Sequence, residues 1–321
     1  AAAAGLAAED VLEHWQEASK HYAVWPGQTF DRKLPQRLPG QLSVNFLASD
    51  EMQALADTKQ QSLVEYHRHY LTLAFPLAPR SSPTNFSPVS AWAAGVQMAA
   101  LTLGCGGVLG DGPVMAHAGR FAQHNGGCGY ALKPAHFTGA EDSQGVAETA
   151  PPPVRLELRV IAARALPGSG IRAEPSGPVA VAVSVCGTPK DCTRVAYQPV
   201  RAQGPLVLWP EAQGTSAGEA PKPLTLNIDA PAAAILVFEV FEISPMAGAQ
   251  RLAFFAAPVD GLRQGLRWVP LWSPGPSGAE GKPTCHGLLS GLLVHLAMLQ
   301  GGRRDKAKGS QSSAAAGAHK G

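Results

Sequence analysis

The three consecutive prolines Pro151-Pro152-Pro153 separate two stretches of different texture, and any fold must respect that division. Proline fixes φ and donates no hydrogen bond, so a run of three ends whatever regular structure precedes it. Ahead of them, short apolar runs alternate with helical pattern. Leu42 to Leu47 is followed by a helical stretch from Asp50, its expected cap, to about Tyr70. Leu71 to Phe75 is stopped by Pro76, Gly95 to Leu103 is apolar at nearly every position, and Gly129 to Leu132 ends at Lys133-Pro134. Strands buried on both faces read as continuous apolar runs, and helices between them connect a parallel sheet. Beyond the prolines, runs recur between turn signals at 154–162, 179–185, 193–200, 224–228, 235–242, 252–259, 266–272 and 288–298. In the first, Val154, Leu156, Leu158 and Val160 alternate with Arg155, Glu157 and Arg159, the period of two of a half-buried strand. Eight such runs predict an antiparallel β-sandwich.

A chain of 321 residues has room for about two domains of roughly 150 residues each. The boundaries read as 1–41 for an N-terminal helix and connector, 42–137 for the alternating region, 138–153 for a linker, 154–299 for the sandwich and 300–321 for a disordered tail. Leu6, Val11, Leu12, Trp15 and Ala18 stand near helical spacing, which predicts one amphipathic helix over 5–22. Pro26, Pro35 and Pro39 make 23–41 an extended connector. Arg303, Arg304, Lys306 and Lys308, followed by Ser, Ala and Gly, have nothing to bury and solubilise the tail. The first residue is not Met, which points to a fragment or a processed piece.

Charge excludes some classes. With 26 Lys and Arg against 24 Asp and Glu, nothing calls for nucleic acid. The longest apolar stretch, His286 to Leu299, is broken by Ser290 and His295 and falls short of the roughly 18–20 residues of a spanning helix, so no transmembrane segment is expected. The N-terminus lacks the basic region and apolar core of a secretory signal. Cysteines at 105, 128, 186, 192 and 285 are odd in number and form no CxxC pair, the pattern of reduced thiols in a cytoplasmic protein. Five residues separate Cys186 from Cys192 and Cys285 adjoins His286, which is no zinc-ligand spacing.

The string Ser62-Leu-Val-Glu-Tyr-His-Arg-His-Tyr-Leu-Thr-Leu-Ala-Phe-Pro-Leu-Ala-Pro-Arg80, then Asn85-Phe-Ser-Pro88, then Trp92-Ala-Ala-Gly95-Val-Gln97-Met-Ala-Ala-Leu101, resembles the Y region of the eukaryotic phosphoinositide-specific phospholipases C. Gly119-Arg-Phe121 and Asn125-Gly-Gly-Cys-Gly-Tyr130-Ala-Leu-Lys133-Pro134 resemble the end of that region. In the family the Y region is the second half of a TIM-type barrel and a C2 domain follows it. The resemblance therefore implies an α/β half-barrel followed by an all-β C2 sandwich, over about residues 42–299. Gly261 to Leu271 is similar to the stretch that leads into the penultimate C2 strand.

What the family does needs more than this chain shows. These enzymes cleave phosphatidylinositol 4,5-bisphosphate with one His as base, a second as acid, and a Ca²⁺ held by Asn, Asp and Glu. All of those belong to the X half, for which the 41 residues before Leu42 are too few. No catalytic residue and no cofactor is therefore expected in this chain. The Y half contributes phosphate recognition: a Ser on its first strand and the pattern Leu-Ser-Arg-x-Tyr-Pro on the next. Here that pattern reads Leu71-Thr72-Leu73-Ala74-Phe75-Pro76. Leu73 cannot give the forked, charge-assisted bonds of Arg, and Phe75 keeps the ring without the donor. The Ser position falls near Asn45. Arg80 matches a second basic position, either a retained phosphoinositide contact or a solvated loop cation, and Ser81-Ser82-Pro83-Thr84-Asn85 loses the family's Asp.

The expected C2 loops are equally poor in acid. Ser176-Gly177-Pro178 and Phe241-Glu242-Ile243-Ser244 offer one carboxylate where Ca²⁺ wants six to eight oxygens. The residues thus predict a catalytically inactive Y–C2 module in phosphoinositide signalling, cytoplasmic and peripheral at membranes. Its expected partners are a phosphoinositide membrane surface, signalling proteins, or a separate X half. The alternative is a fragment of an active enzyme that yields inositol 1,4,5-trisphosphate and diacylglycerol.

Overall fold

The structure, a computed structural model, describes residues 22–24, 42–76, 85–102, 112–134, 151–167, 175–188, 190–202, 204–209, 223–246, 248–273, 284–285 and 290–300. Its first unit is a parallel sheet in chain order: β1 (Tyr22–Val24), β2 (Leu42–Ala48), β3 (Leu71–Phe75) and β4 (Met98–Ala99). Helix α1 (Ser49–His69) connects β2 to β3, α2 (Pro88–Ala93) lies between β3 and β4, and α3 (Gly112–Gln123) follows. Pro88 opens α2, where its missing N–H costs nothing. The first turn of α1 carries Asp50 and Glu51 against the positive end of the helix. Asp50 is not the cap, however; Ala48 holds that position in extended geometry, one residue before the helix starts. Mid-way, Lys59 leaves helical geometry just after Thr58, whose hydroxyl donates back to the Ala54 carbonyl at 2.7 Å and bends the helix.

Three expectations for this unit change. Tyr22–Val24 is a strand beside β2, where a helix end and connector were expected; the rest of that helix, residues 5–21, lies outside the described residues. Among its described residues the run from Gly95 is strand only at Met98–Ala99, because Gly95 turns at φ +86° and Val96 packs into the helix layer with Leu47, Met52, Ala74 and Ala91. Gly129 to Leu132 is no strand. Gly126, Gly127 and Gly129 all have positive φ, and Leu132 is 91% exposed.

The second unit holds two antiparallel sheets. One runs β10 (Leu224–Ile228), β5 (Val154–Arg164), β16 (Gly291–Gln300), β13 (Gly265–Pro270), with β9 (Leu206–Leu208) also on β5. The other runs β15 (Thr284–Cys285), β14 (Trp272–Ser273), β12 (Gly248–Pro258), β11 (Ile235–Ser244), β6 (Pro178–Cys186), β7 (Thr193–Ala196), with β8 (Val200–Arg201) also on β6. Leu156, Leu158 and Val160 of β5 meet Leu236, Phe238 and Val240 of β11 in one core with Trp209. Each such side chain, taken fully out of water, contributes about 1.5–3 kcal/mol. The sequence runs recur as strands with two divisions. Residues 193–200 split into β7 and the start of β8, and 266–272 splits at buried Leu271, where the chain crosses from one sheet to the other. The short strands β9 and β15 were not expected.

The units pack against each other through α3 and the outer face of β11 and β12. Val114, Met115 and Ala116 join Val89 and Ala93 against Ile235, Val237, Phe254 and Ala256. Expectations for residues 1–21, the loop at 77–84, the linker at 138–150 and the tail beyond 300 lie outside the described residues.

Candidate functional site

Alternation sorts the residues of β3 onto two faces. Thr72 and Ala74 are buried toward the helices, whereas Leu71, Leu73 and Phe75 point the other way, Leu71 with 42% of its surface exposed. The parallel register sets Phe46 level with Leu73 and Ala48 level with Phe75, while Met98 is level with Leu73 on the other side. Residues paired in register share a face, so Phe46, Leu73, Phe75 and Met98 form one apolar surface on the side away from α1. Asn45 is level with Thr72 and belongs to the opposite face, where its amide donates to the Leu71 carbonyl at 3.1 Å. Of the positions singled out in the sequence, Leu73 and Phe75 therefore come together, Asn45 does not join them, and Arg80 lies outside the described residues. The partner missed in the sequence is Phe46. Leu47 enters the core with Ala74, which leaves Phe46 for the other face by strand parity, a signal that needed only the correct register.

The polar residues of the quoted motifs form a knot beside this surface. Gln97 accepts from the Thr72 N–H at 3.0 Å and donates to the carbonyls of His67 and Tyr70 at 2.7 and 3.0 Å. It thereby satisfies the last carbonyls of α1, which a helix end leaves without partners. Lys133 donates to the same His67 carbonyl at 3.2 Å. The His67 ring is buried, and its Nδ1 donates to the Ala94 carbonyl at 2.8 Å. Burial lowers its pKa to about 4, and the charge of Lys133 pushes the same way, so the ring is neutral. Gly95 is required here: a Cβ would come within 3.2 Å of the His67 Cβ, on a backbone at φ +86°. Asn85 pairs with the backbone of Thr102, accepting its N–H at 2.7 Å and donating to its carbonyl at 2.9 Å.

A second knot ties the two units. Arg120 of α3 is 6% exposed and donates from one guanidinium nitrogen to the carbonyls of Ala232 and Ala233 at 2.9 and 3.1 Å. Its guanidinium lies 5.3 Å from the centre of the Trp92 ring, a cation–π contact. Burial lowers its pKa and the charge of Asp260 opposes that shift, yet Arg remains cationic in either case. Gly119, one residue earlier, lets α3 approach β12 closely; a Cβ there would stand 2.6 Å from the Ala256 Cβ.

In the sandwich, the one carboxylate of the expected metal loops is already engaged. Glu242 is 2% exposed, and a single oxygen accepts from the backbone N–H of Ser176 at 2.7 Å, the Ser176 hydroxyl at 2.9 Å and the Gly177 N–H at 2.8 Å. Three donors on one carboxylate oxygen clamp the two loops together. Those residues do not fit a Ca²⁺ ion, which would have to displace all three. The outer face of the five-stranded sheet mixes apolar and basic groups. Register sets Leu208, Ala162, Leu293 and Trp268 in one row across four strands, and Arg159, His295 and Leu266 in the next.

Residues 30–136 match the model of the phosphatidylinositol-specific phospholipase C Y domain. Over these residues the chain carries a Y domain of the phosphoinositide phospholipase C-like family. It is 28% identical over 238 residues to human 1-phosphatidylinositol 4,5-bisphosphate phosphodiesterase delta-3, covering 73% of this chain and 28% of that protein. It is 26% identical to the mouse inactive phospholipase C-like protein 2, covering 76% of this chain and 20% of that protein. The phospholipase C structure PLC21 from S. officinalis superposes with a TM-score of 0.61 at 19% identity over 80% of this chain and 30% of that one, which shows a shared fold. The chain thus spans less than a third of these relatives. Within the Y domain, the motif residues Asn85, Gly95, Gln97, Arg120 and Lys133 all carry backbone or packing duties. Leu73 and Phe75, where the resemblance implies phosphate contacts, carry none that is polar.

Proposed function

We propose that this chain is a Y–C2 module that works in phosphoinositide signalling by binding and not by cleaving phosphodiesters. The observation that carries the reading is the apolar surface of Phe46, Leu73, Phe75 and Met98, on the face where the resemblance implies an Arg and a Tyr. A phosphate brought there loses its hydration and gains no donor, a cost of several kcal/mol that closes the site to an inositol phosphate. The four parallel strands in chain order support a half-barrel, and the two antiparallel sheets on one core support the C2 sandwich. The Glu242 clamp supports a sandwich that holds its loops without Ca²⁺. Membrane or protein contact falls to surfaces such as the outer face with Arg159, His295, Leu266 and Trp268, where exposed apolar area adjoins the Arg159 cation.

A second reading rests on length. Because the chain spans 28% of a relative that is named a phosphodiesterase, an X half elsewhere in the same protein would make this the Y–C2 portion of an enzyme. One assay separates the two: release of inositol trisphosphate from phosphatidylinositol 4,5-bisphosphate vesicles with added Ca²⁺, using the longest natural product of the gene, with vesicle sedimentation scored in parallel. The binding reading expects sedimentation without turnover. Turnover above a matched control overturns it, and absence of both turnover and sedimentation leaves a protein partner as the binding target.

A further inference from the structure

A cation driven below the protein surface normally comes with an anion, because burial removes the water that stabilised it. At the junction of the two units, two cations line one cavity whose wall, among the described residues, includes no acidic side chain. The cavity holds about 140 Å³. Arg120, almost wholly buried, has spent one guanidinium nitrogen on the carbonyls of Ala232 and Ala233, and the charge of Asp260, outside the cavity wall, offsets only part of the cost of its burial. Lys133 contributes the second cation. Its amine rests on the His67 carbonyl, and its pKa is lowered to about 8 by burial, with the charge of Arg68 adding to the effect. Trp92, Phe121, Val96 and Leu132 supply apolar wall, and Gln97 a further amide.

We propose that this cavity binds a small carboxylate with an apolar body, of the class of an aromatic or short-chain organic acid. The carboxylate lies between Arg120 and Lys133, and the body packs on Trp92 and Phe121. Size supports the class: a cavity of about 150 Å³ accommodates a single benzene ring. Its wall shares no residue with the face of Phe46, Leu73, Phe75 and Met98, so this site is separate from the one the resemblance implies for the lipid substrate and stands whether or not the binding reading above holds. Charge supports it too. A carboxylate supplies an anion between two cations that Asp260, acting on Arg120 from outside the wall, does not balance alone, and charge-assisted bonds to both cations are the strong kind. Such a ligand touches Lys133 of the first unit and the turn at Ala232 and Ala233 of the second, so its occupancy ties the two together.

The test uses the full chain and sodium benzoate, titrated by calorimetry and by NMR of the lysine amines, with benzyl alcohol and inorganic phosphate as comparison probes. A ligand of this size is expected at a Kd on the order of 1 mM. Benzoate should bind saturably, benzyl alcohol about tenfold or more weakly for want of the charge, and phosphate weakly for want of the apolar body. Benzoate should also raise the Lys133 pKa from about 8, a readout that needs no variant. Lys133→Gln should weaken benzoate at least about tenfold, and Ala131→Phe, which fills the rim while leaving both cations, should abolish it. The proposal is overturned by the absence of saturable benzoate binding with an unmoved Lys133 pKa, by benzyl alcohol binding as well as benzoate, or by binding that Ala131→Phe in a folded protein leaves intact.

Discussion

At the scale of single residues, His67 makes stability depend on pH in a defined window. Its folded pKa of about 4 lies below the ordinary 6.5 of an unfolded chain. Between those values the unfolded chain binds a proton that the folded protein refuses, so stability is full above pH 6.5 and falls as pH drops toward 4. The lowering corresponds to about 3 kcal/mol at the acid end. Asparagine at this position keeps a donor for the Ala94 carbonyl and cannot titrate. His67→Asn should therefore flatten the difference between urea unfolding curves at pH 4.5 and pH 7, and an unchanged slope would remove His67 as its source. Thr72 gives a prediction of the opposite sign. Its hydroxyl is buried with no hydrogen-bond partner, a cost of about 1–3 kcal/mol. Thr72→Val keeps the β-branched shape and should leave stability unchanged or raise it by about 1 kcal/mol in the same unfolding assay. Cysteines differ by environment. Burial pushes the Cys186 thiol up to about 12, so iodoacetamide at pH 8 should label exposed Cys128 and Cys192 at least about tenfold faster in the native protein, as thiolate fraction sets the rate.

At the scale of elements, the contact of α3 with β12 depends on Gly119. Glycine inside a helix costs about 1 kcal/mol relative to Ala, so propensity alone favours replacement. The obstacle is Ala256, whose Cβ and backbone carbon would lie 2.6 and 2.9 Å from a new Cβ, and neither can rotate away. Overpacking of that kind costs about 1–3 kcal/mol, and a branched side chain suffers the most. Gly119→Val should therefore lower Tm by several degrees and open the junction to limited proteolysis, whereas Gly112→Ala, with nothing within 4 Å, should do neither. The same contrast explains what the sequence revealed. Alternation in β5 and the apolar run of β2 were legible because local periodicity reports burial directly. The end of β4 was not, since Val96 is apolar for the sake of the helix layer and strand pairing engages only Met98 and Ala99. That Asn45 stands apart from Leu73 and Phe75 was hidden for a similar reason: one step of register moves a residue to the other face, and only pairing with Thr72 fixes that step. Gln97 and Lys133 stood out as motif residues, but their work on the carbonyl of His67 is a contact across 30 and 66 residues.

At the scale of the whole molecule, a parallel sheet in chain order has two edges, and among the described residues β4 pairs only with β3 and β1 only with β2. The sandwich closes its own core, and α3 covers part of one of its faces, but it does not shield the surface of Leu71, Leu73 and Phe75. An open edge beside an exposed apolar face favours association, because another strand can satisfy the edge while the face is buried. In a complete barrel that work falls to the remaining strands. The chain by itself should therefore be oligomeric or poorly soluble, and light scattering after size exclusion reads this directly. The cause is separable from general stickiness. Leu71→Lys with Leu73→Lys puts charge on the open face without touching the core formed by Ala74, and it should raise the monomer fraction several-fold. The same pair of charges at Thr225 and Asn227, on the outer face of the sandwich, should leave the distribution unchanged. A monodisperse monomer of the unaltered chain would mean that its own remaining residues already cover that face, and the lysine variant would then lose stability where it was expected to gain solubility.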